Sequence, residues 1–166
     1  MAERLPQTLL REIIAAHPEG GEILSRISID RVGPANVVKL LGQLAHNGRL
    51  RYKAFGILDG DSETSEGCIK LPGNEAPEYV VFNGLKGLNW KDLQERFGIG
   101  AGSLFTILED AMLDPYNHKW TSLVGDKVLK SSTSVWEILC NQWCKICLTE
   151  EEKGVIVEAV KELLGY

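Results

Sequence analysis

Apolar residues recur at three- and four-residue intervals through the first 45 positions and predict three helices before any strand. Leu9, Leu10, Ile13 and Ile14 mark the first, entered through Pro6, where a missing N–H costs nothing, and ended by His17-Pro18. After Gly20-Gly21, Ile23, Leu24 and Ile27 share one face of a short helix from Glu22 to Ser28. The third opens at Gly33-Pro34 and runs to Ala45 with Val37, Val38, Leu40, Leu41 and Leu44 inward. It stops at His46-Asn47-Gly48, where glycine supplies a left-handed cap.

The period then changes to two. Leu50, Tyr52, Ala54 and Gly56 alternate with Arg49, Arg51, Lys53, Phe55 and Ile57, and Cys68-Ile69-Lys70-Leu71 returns as a partner strand. A third strand, Tyr79 to Phe82, ends at Asn83-Gly84. Helical spacing resumes in the second half. Asn89 caps a helix from Trp90 to Phe97, Gly98 to Gly102 turn the chain, and Ser103 to Leu113 form another helix closed by Asp114-Pro115. Trp120 and Val124 fit a short strand pair. Ser134 with Glu137, and Thr149 with Glu152, have the spacing of capping boxes before helices at 135–147 and 150–164.

Three helices, a strand, a loop and a returning strand follow the order of a winged helix-turn-helix. The second half offers helices with a possible second wing. The expected architecture is therefore mainly α with small β wings: two winged-helix-like units in tandem, an N-terminal one over 1–83 and a C-terminal, helix-turn-helix-like one over 84–166. This is a resemblance to a fold pattern. Leu93 to Leu108 carries its most specific part, with Gly98 and Ile99 at the turn and apolar residues five and eight places beyond Ile99. Gln94 stands where that pattern has a small residue. The presumptive recognition helix shows Thr106, Glu109 and Asp110 outward and holds no arginine or lysine, so it is poorly suited to phosphates or base edges.

Charge sharpens that distinction. The 166 residues carry a formal net charge of −5, resolved as +2 over residues 1–60, −6 over 61–115 and −1 over 116–166. The middle acidity lies in 59–67 and 73–78, segments rich in turn formers that read as solvated loops. Nucleic-acid coating by bulk charge is thereby disfavoured, while Arg31, Lys39, Arg49, Arg51 and Lys53 could still give the N-terminal unit a basic face for phosphates. No apolar stretch approaches the ~20 residues of a membrane span, and Met1 to Pro6 lack the apolar core of a signal peptide, so a cytoplasmic protein without membrane contact is expected.

Cys140-x3-Cys144-x2-Cys147 resembles the cluster-binding spacing of radical S-adenosylmethionine enzymes, with Cys68 as a conceivable fourth ligand. That family places its motif in a loop early in a large barrel. Here the cysteines fall on one face of a predicted helix near the end of the chain, beside Trp136, Leu139 and Trp143, where buried thiols are the simpler reading. Gly98-x-Gly100-x-Gly102 follows a helix rather than a strand and is turn chemistry. Residues 59–70 fail as a calcium loop, with Thr64 in place of glycine and Lys70 in place of the final carboxylate. His17, His46 and His118 are scattered along the chain, and no hydrolase elbow, zinc-protease motif or P-loop is present.

Two functions follow as expectations. The leading one is a non-catalytic adaptor or assembly subunit, without cofactor or metal, acting on a protein partner or a second copy through aromatic anchors at Trp136 and Trp143. The alternative is a transcriptional regulator that binds duplex DNA through the basic N-terminal face. An iron–sulfur-sensing regulator is the minor third.

Overall fold

A computed structural model describes residues 5–87 and 91–166. Among these are nine α-helices and a single small two-stranded sheet that packs on the third helix. The first helix, α1 (Leu5–Ala15), buries Leu9, Leu10, Ile13 and Ile14, the stripe its spacing predicts. Its successor α2 (Gly20–Ser25) starts earlier and ends sooner than expected, leaving Ile27 half-buried in the segment beyond it. Helix α3 (Ala35–His46) ends as predicted, with Gly48 left-handed at φ 65°. Its apolar side is not sunk in the helical core: Val37, Val38, Leu41 and Leu44 are half-buried and Leu40 is exposed.

Two strands, β1 (Gly56–Leu58) and β2 (Cys68–Lys70), pair in parallel with Gly56 opposite Cys68 and Leu58 opposite Lys70. The pairing begins later than the alternation suggests, since β2 reaches only 56–58 and leaves 49–55 without a ladder. Between the strands the acidic loop folds back on the end of α3. Gln43 Nε2 donates to Ser65 Oγ at 3.3 Å, and His46 Nε2 lies 3.3 Å from a Glu66 carboxylate oxygen. A wing's antiparallel hairpin is therefore not formed by these strands.

Two other expected strands are helices. Tyr79 to Phe82 lie in α4 (Pro77–Leu85), where Pro77 occupies the first turn and Glu78, Val81, Phe82 and Leu85 form one buried face at helical spacing. An apolar run of four satisfies either period, and the residues flanking it decide. Trp120 and Val124 lie in α7 (Trp120–Val128), where together with Val128 they make a buried i, i+4, i+8 stripe. A short 3-10 turn at Asn117–Lys119 leads into it.

The residues of the helix-turn-helix spacing form two helices, α5 (Lys91–Phe97) and α6 (Ala101–Met112), with Gly98 at φ 72° between them. Leu93, Phe97, Leu104 and Leu108 are buried between and beneath them, while Thr106, Glu109 and Asp110 face outward as expected. The expected caps at Asn89 and the start at Trp90 lie outside the described residues.

Helix α8 (Ser132–Ile146) is capped by Ser131, whose side chain accepts the Ser134 amide hydrogen; the predicted box at Ser134 and Glu137 is not its start. Helix α9 (Glu150–Leu164) begins with the predicted Thr149–Glu152 box in full and closes on left-handed Gly165. Helix α8 packs against α1, α4, α5 and α7. One continuous apolar core joins Leu9 and Ile13 to Phe82, Leu104, Leu139 and Val157, drawing on both sides of position 83. No helix among the described residues is long and apolar enough to cross a membrane.

Candidate functional site

Between the helical body and the layer formed by α3 and β1 lies a cavity of about 820 Å³. Its position follows from the chain's local chemistry. Helix α1 turns Leu10 and Ile14 toward it, α9 turns Val160, Leu163 and Leu164, and α3 faces them with Val38 and Leu41. The segment after α2 and the segment leading into β1 form its sides. Val32 and Tyr52, on those two segments, line the cavity yet remain 44% and 67% exposed, so its apolar wall continues out onto the surface. A concavity of this size, with mostly apolar walls and a few polar groups, has the build of a ligand or partner site.

Those polar groups are unequal. Glu78 sits in the first turn of α4 with 7% of its surface exposed. Its carboxylate is hydrogen-bonded by its own main-chain N–H and by no other donor among the described residues. Burial pushes its pKa above the ordinary value of 4.5; the amide bond and His118 oppose that rise, and Asp59 and Asp61 add to it. Asp59, at the end of β1 and lining the same cavity, is also raised, first by burial and then by Asp61. The two segments that hold these carboxylates read as solvated loops in the sequence. In the fold Gly60 is packed against the main chain of Gly73 and Glu75, which draws both segments inward. The Ala76-Pro77-Glu78 helix start was the sequence signal for this placement.

The five basic residues expected to form one face lie on the segment after α2, on α3 and on the segment leading into β1. Arg31 and Lys53 line the cavity. Lys39 lies half-buried on α3, where its charge reaches Cys68, and Arg49 and Arg51 are exposed on the segment between α3 and β1, beside the lining residues Leu50 and Tyr52. Arg26 lines the cavity too, but its guanidinium donates to the Tyr166 hydroxyl and stacks 5.0 Å from that ring's centroid.

The proposed aromatic anchors are core residues. Trp136 is 1% exposed and its Nε1 donates to the Leu5 carbonyl at 2.8 Å; Trp143 is 4% exposed. Trp120 is likewise buried, its Nε1 donating to the Asp114 carbonyl at 2.9 Å and its ring meeting Tyr79 and Phe82. Aromatic side chains serve cores and interfaces by the same apolar area, so type alone could not separate the two. Trp90 lies outside the described residues.

The cysteines occupy separate places. Cys140 and Cys144 are buried on α8, Cys147 follows that helix with its thiol donating to the Gly84 carbonyl at 3.4 Å, and Cys68 sits on β2 with its thiol donating to the Val38 carbonyl at 3.8 Å. Burial raises all four thiols, Cys144 to about 12. No three histidine, cysteine, aspartate or glutamate side chains among the described residues come together in a way that could hold a metal ion.

A second hollow, of about 330 Å³, lies over α1, α5 and α8. Three of its polar residues bond in series: Arg96 Nη1 donates to Asn141 Oδ1 at 2.8 Å, and Asn141 Nδ2 donates to Glu12 Oε2 at 2.9 Å. It ties three helices together and leaves fewer groups for a ligand than the larger cavity does. Compared with known protein families, with curated proteins and with solved structures, the chain matches none.

Proposed function

We propose that this chain is a non-catalytic adaptor or assembly subunit that receives an apolar segment of a partner protein in the groove between α1, α9 and α3. The observation that carries this reading is the continuity of the 820 Å³ cavity with exposed Val32 and Tyr52. An enclosed small-molecule pocket needs no apolar rim, whereas a bound polypeptide covers surface beyond the hole it fills. Tyrosine at such a rim offers a large contact area with little rotamer freedom to lose. In this reading the α5–α6 pair keeps helix-turn-helix geometry as scaffold. The finer kinship to winged-helix units belongs to the same proposal: the pattern supplies helices and a small sheet used for protein contacts.

The test is a photo-crosslinking residue placed at Tyr52, with the same residue at Leu129 as a control on exposed surface. Cross-linking in the native cell yields a defined protein adduct from Tyr52, resistant to nuclease, absent from Leu129, and lost when Leu164→Glu puts a charge into the groove. A nuclease-sensitive adduct supports duplex DNA instead. Equal adducts at both positions, or none at Tyr52, overturn the proposal.

A further inference from the structure

We infer that the partner segment seated in the groove carries a basic side chain, lysine or arginine, whose charged end lies against Glu78 and Asp59. This rests on reading the groove as a protein-binding site. The argument begins with an imbalance inside the cavity. Glu78 is more than nine-tenths buried, lines the cavity, and has no donor beyond its own main-chain N–H among the described residues. A carboxylate removed from water in this way is costly unless paired, and removing its partner is what makes such a group destabilising. Asp59 lines the same cavity and raises the demand, since two neighbouring carboxylates oppose each other's ionisation.

The remaining charges define the direction of the fit. Lys53 enters the lining before β1 and Asp59 after it, so a segment lying along β1 meets a basic residue near one end and an acidic pair near the other. Lys53 is exposed to water, and Arg26 is engaged by Tyr166. Among the described charged residues of the lining, Glu78 combines near-complete burial with an unfilled set of acceptor positions. An ammonium or guanidinium group supplies several N–H donors at that point, and the methylene stem of the same side chain suits the apolar wall of the cavity. Surface pairing of this kind contributes little; in a cavity shielded from water a charge-assisted hydrogen bond contributes more, and it selects the partner by sign.

The experiment uses n-octylamine, n-octanol and octanoate, each below its aggregation concentration, as probes of the groove. Binding is followed by NMR on methyl groups of groove residues. We expect octylamine to bind about tenfold more tightly than octanol, and octanoate to bind more weakly than either. Glu78→Gln keeps the shape and brings the amine-to-alcohol ratio to about one, while unshifted methyl signals of core residues outside the groove show that the variant is folded. Asp59→Asn lowers the ratio by a smaller factor. Octylamine also competes with the protein adduct formed at Tyr52.

Equal binding of all three probes leaves the apolar groove standing and overturns the basic side chain. A preference for octanoate does the same and assigns the recognition to Lys53. Amine binding that leaves the Tyr52 adduct undiminished also overturns the inference, because the cation is then a separate small molecule. Binding of no probe, together with no adduct, removes the groove reading itself.

Discussion

Gly42 on α3 and Gly67 before β2 stand main chain to main chain. A methyl group on Gly42 would lie 2.7 Å from the Gly67 carbonyl oxygen and 2.5 Å from the Cys68 sulfur. Gly67 itself is left-handed, at φ 74°, where any other residue is strained. This contact sets how closely α3 approaches the sheet, and Gly42 is itself part of the groove's lining. Gly42→Ala must push helix and sheet apart. The expected loss of stability is about 1–3 kcal/mol, the usual range for an overpacked site, read as a lower urea midpoint with little change in slope. An unchanged midpoint would show that the layer yields at no cost.

Acid should stabilise the groove. Glu78 and Asp59 have pKa values raised above their ordinary 4.5 and 3.8, so the folded state binds more protons than the unfolded chain over the interval between the ordinary and raised values. Their contribution is fully present below the ordinary values and is lost as the pH climbs through the raised ones. The groups facing Glu78 are Asp59, Asp61 and His118, and of these only a protonated His118 favours its ionised form. Glu78→Gln is expected to flatten the fall in thermal midpoint on the alkaline side of pH 4.5. A wild-type midpoint that rises through this interval while the variant's stays flat would refute the assignment.

Thiol reactivity should divide the four cysteines in two. Cys140 is fully buried with its pKa driven well up by burial, and Cys144, 8% exposed, is raised to about 12, so at pH 8 neither presents an accessible thiolate. Cys68 and Cys147 are half-buried and less strongly shifted. Iodoacetamide followed by peptide mass spectrometry is expected to modify Cys68 and Cys147 first, and the α8 pair only as the protein unfolds. Early modification of Cys140 would contradict the packing of α8.

Leu129 ends α7 in the left-handed region, at φ 57°, with 92% of its surface in water. It bears a conformational cost of roughly 1–2 kcal/mol for which its side chain returns no burial. Leu129→Gly should raise stability by about 1 kcal/mol despite glycine's greater freedom in the unfolded chain. Differential scanning calorimetry measures the change; a lowered midpoint would mean that Leu129 is held by contacts its exposure does not suggest.

The elements that could be read from the sequence are those whose signals are local. The Leu9 to Ile14 stripe, Gly48 as a helix stop and the Thr149–Glu152 box each act within a few residues, and each is found where expected. Parallel pairing of 56–58 with 68–70 depends on how the acidic loop folds over α3, which no residue pattern within either strand encodes. Tyr79 to Phe82 and Trp120 to Val124 were misread because short apolar runs suit both periods until a neighbouring proline or a third stripe residue is weighed. At the groove, Arg31 and Lys53 were visible as charges. Glu78 is marked in the chain only by the Ala76-Pro77-Glu78 helix start, and its burial follows from the packing of Gly60 against Gly73 and Glu75.

The hydrogen bond from Trp136 to the Leu5 carbonyl spans 131 positions, and α8 is among the chief neighbours of α1. During synthesis, therefore, the oily side of the first helix is made long before the element that shields it. Loop-closure entropy delays that contact further, so folding of the body waits on the last third of the chain. Until then the stripe of Leu9, Leu10, Ile13 and Ile14 lacks the α8 surface that completes its burial, with only α2 and α4 available to cover it.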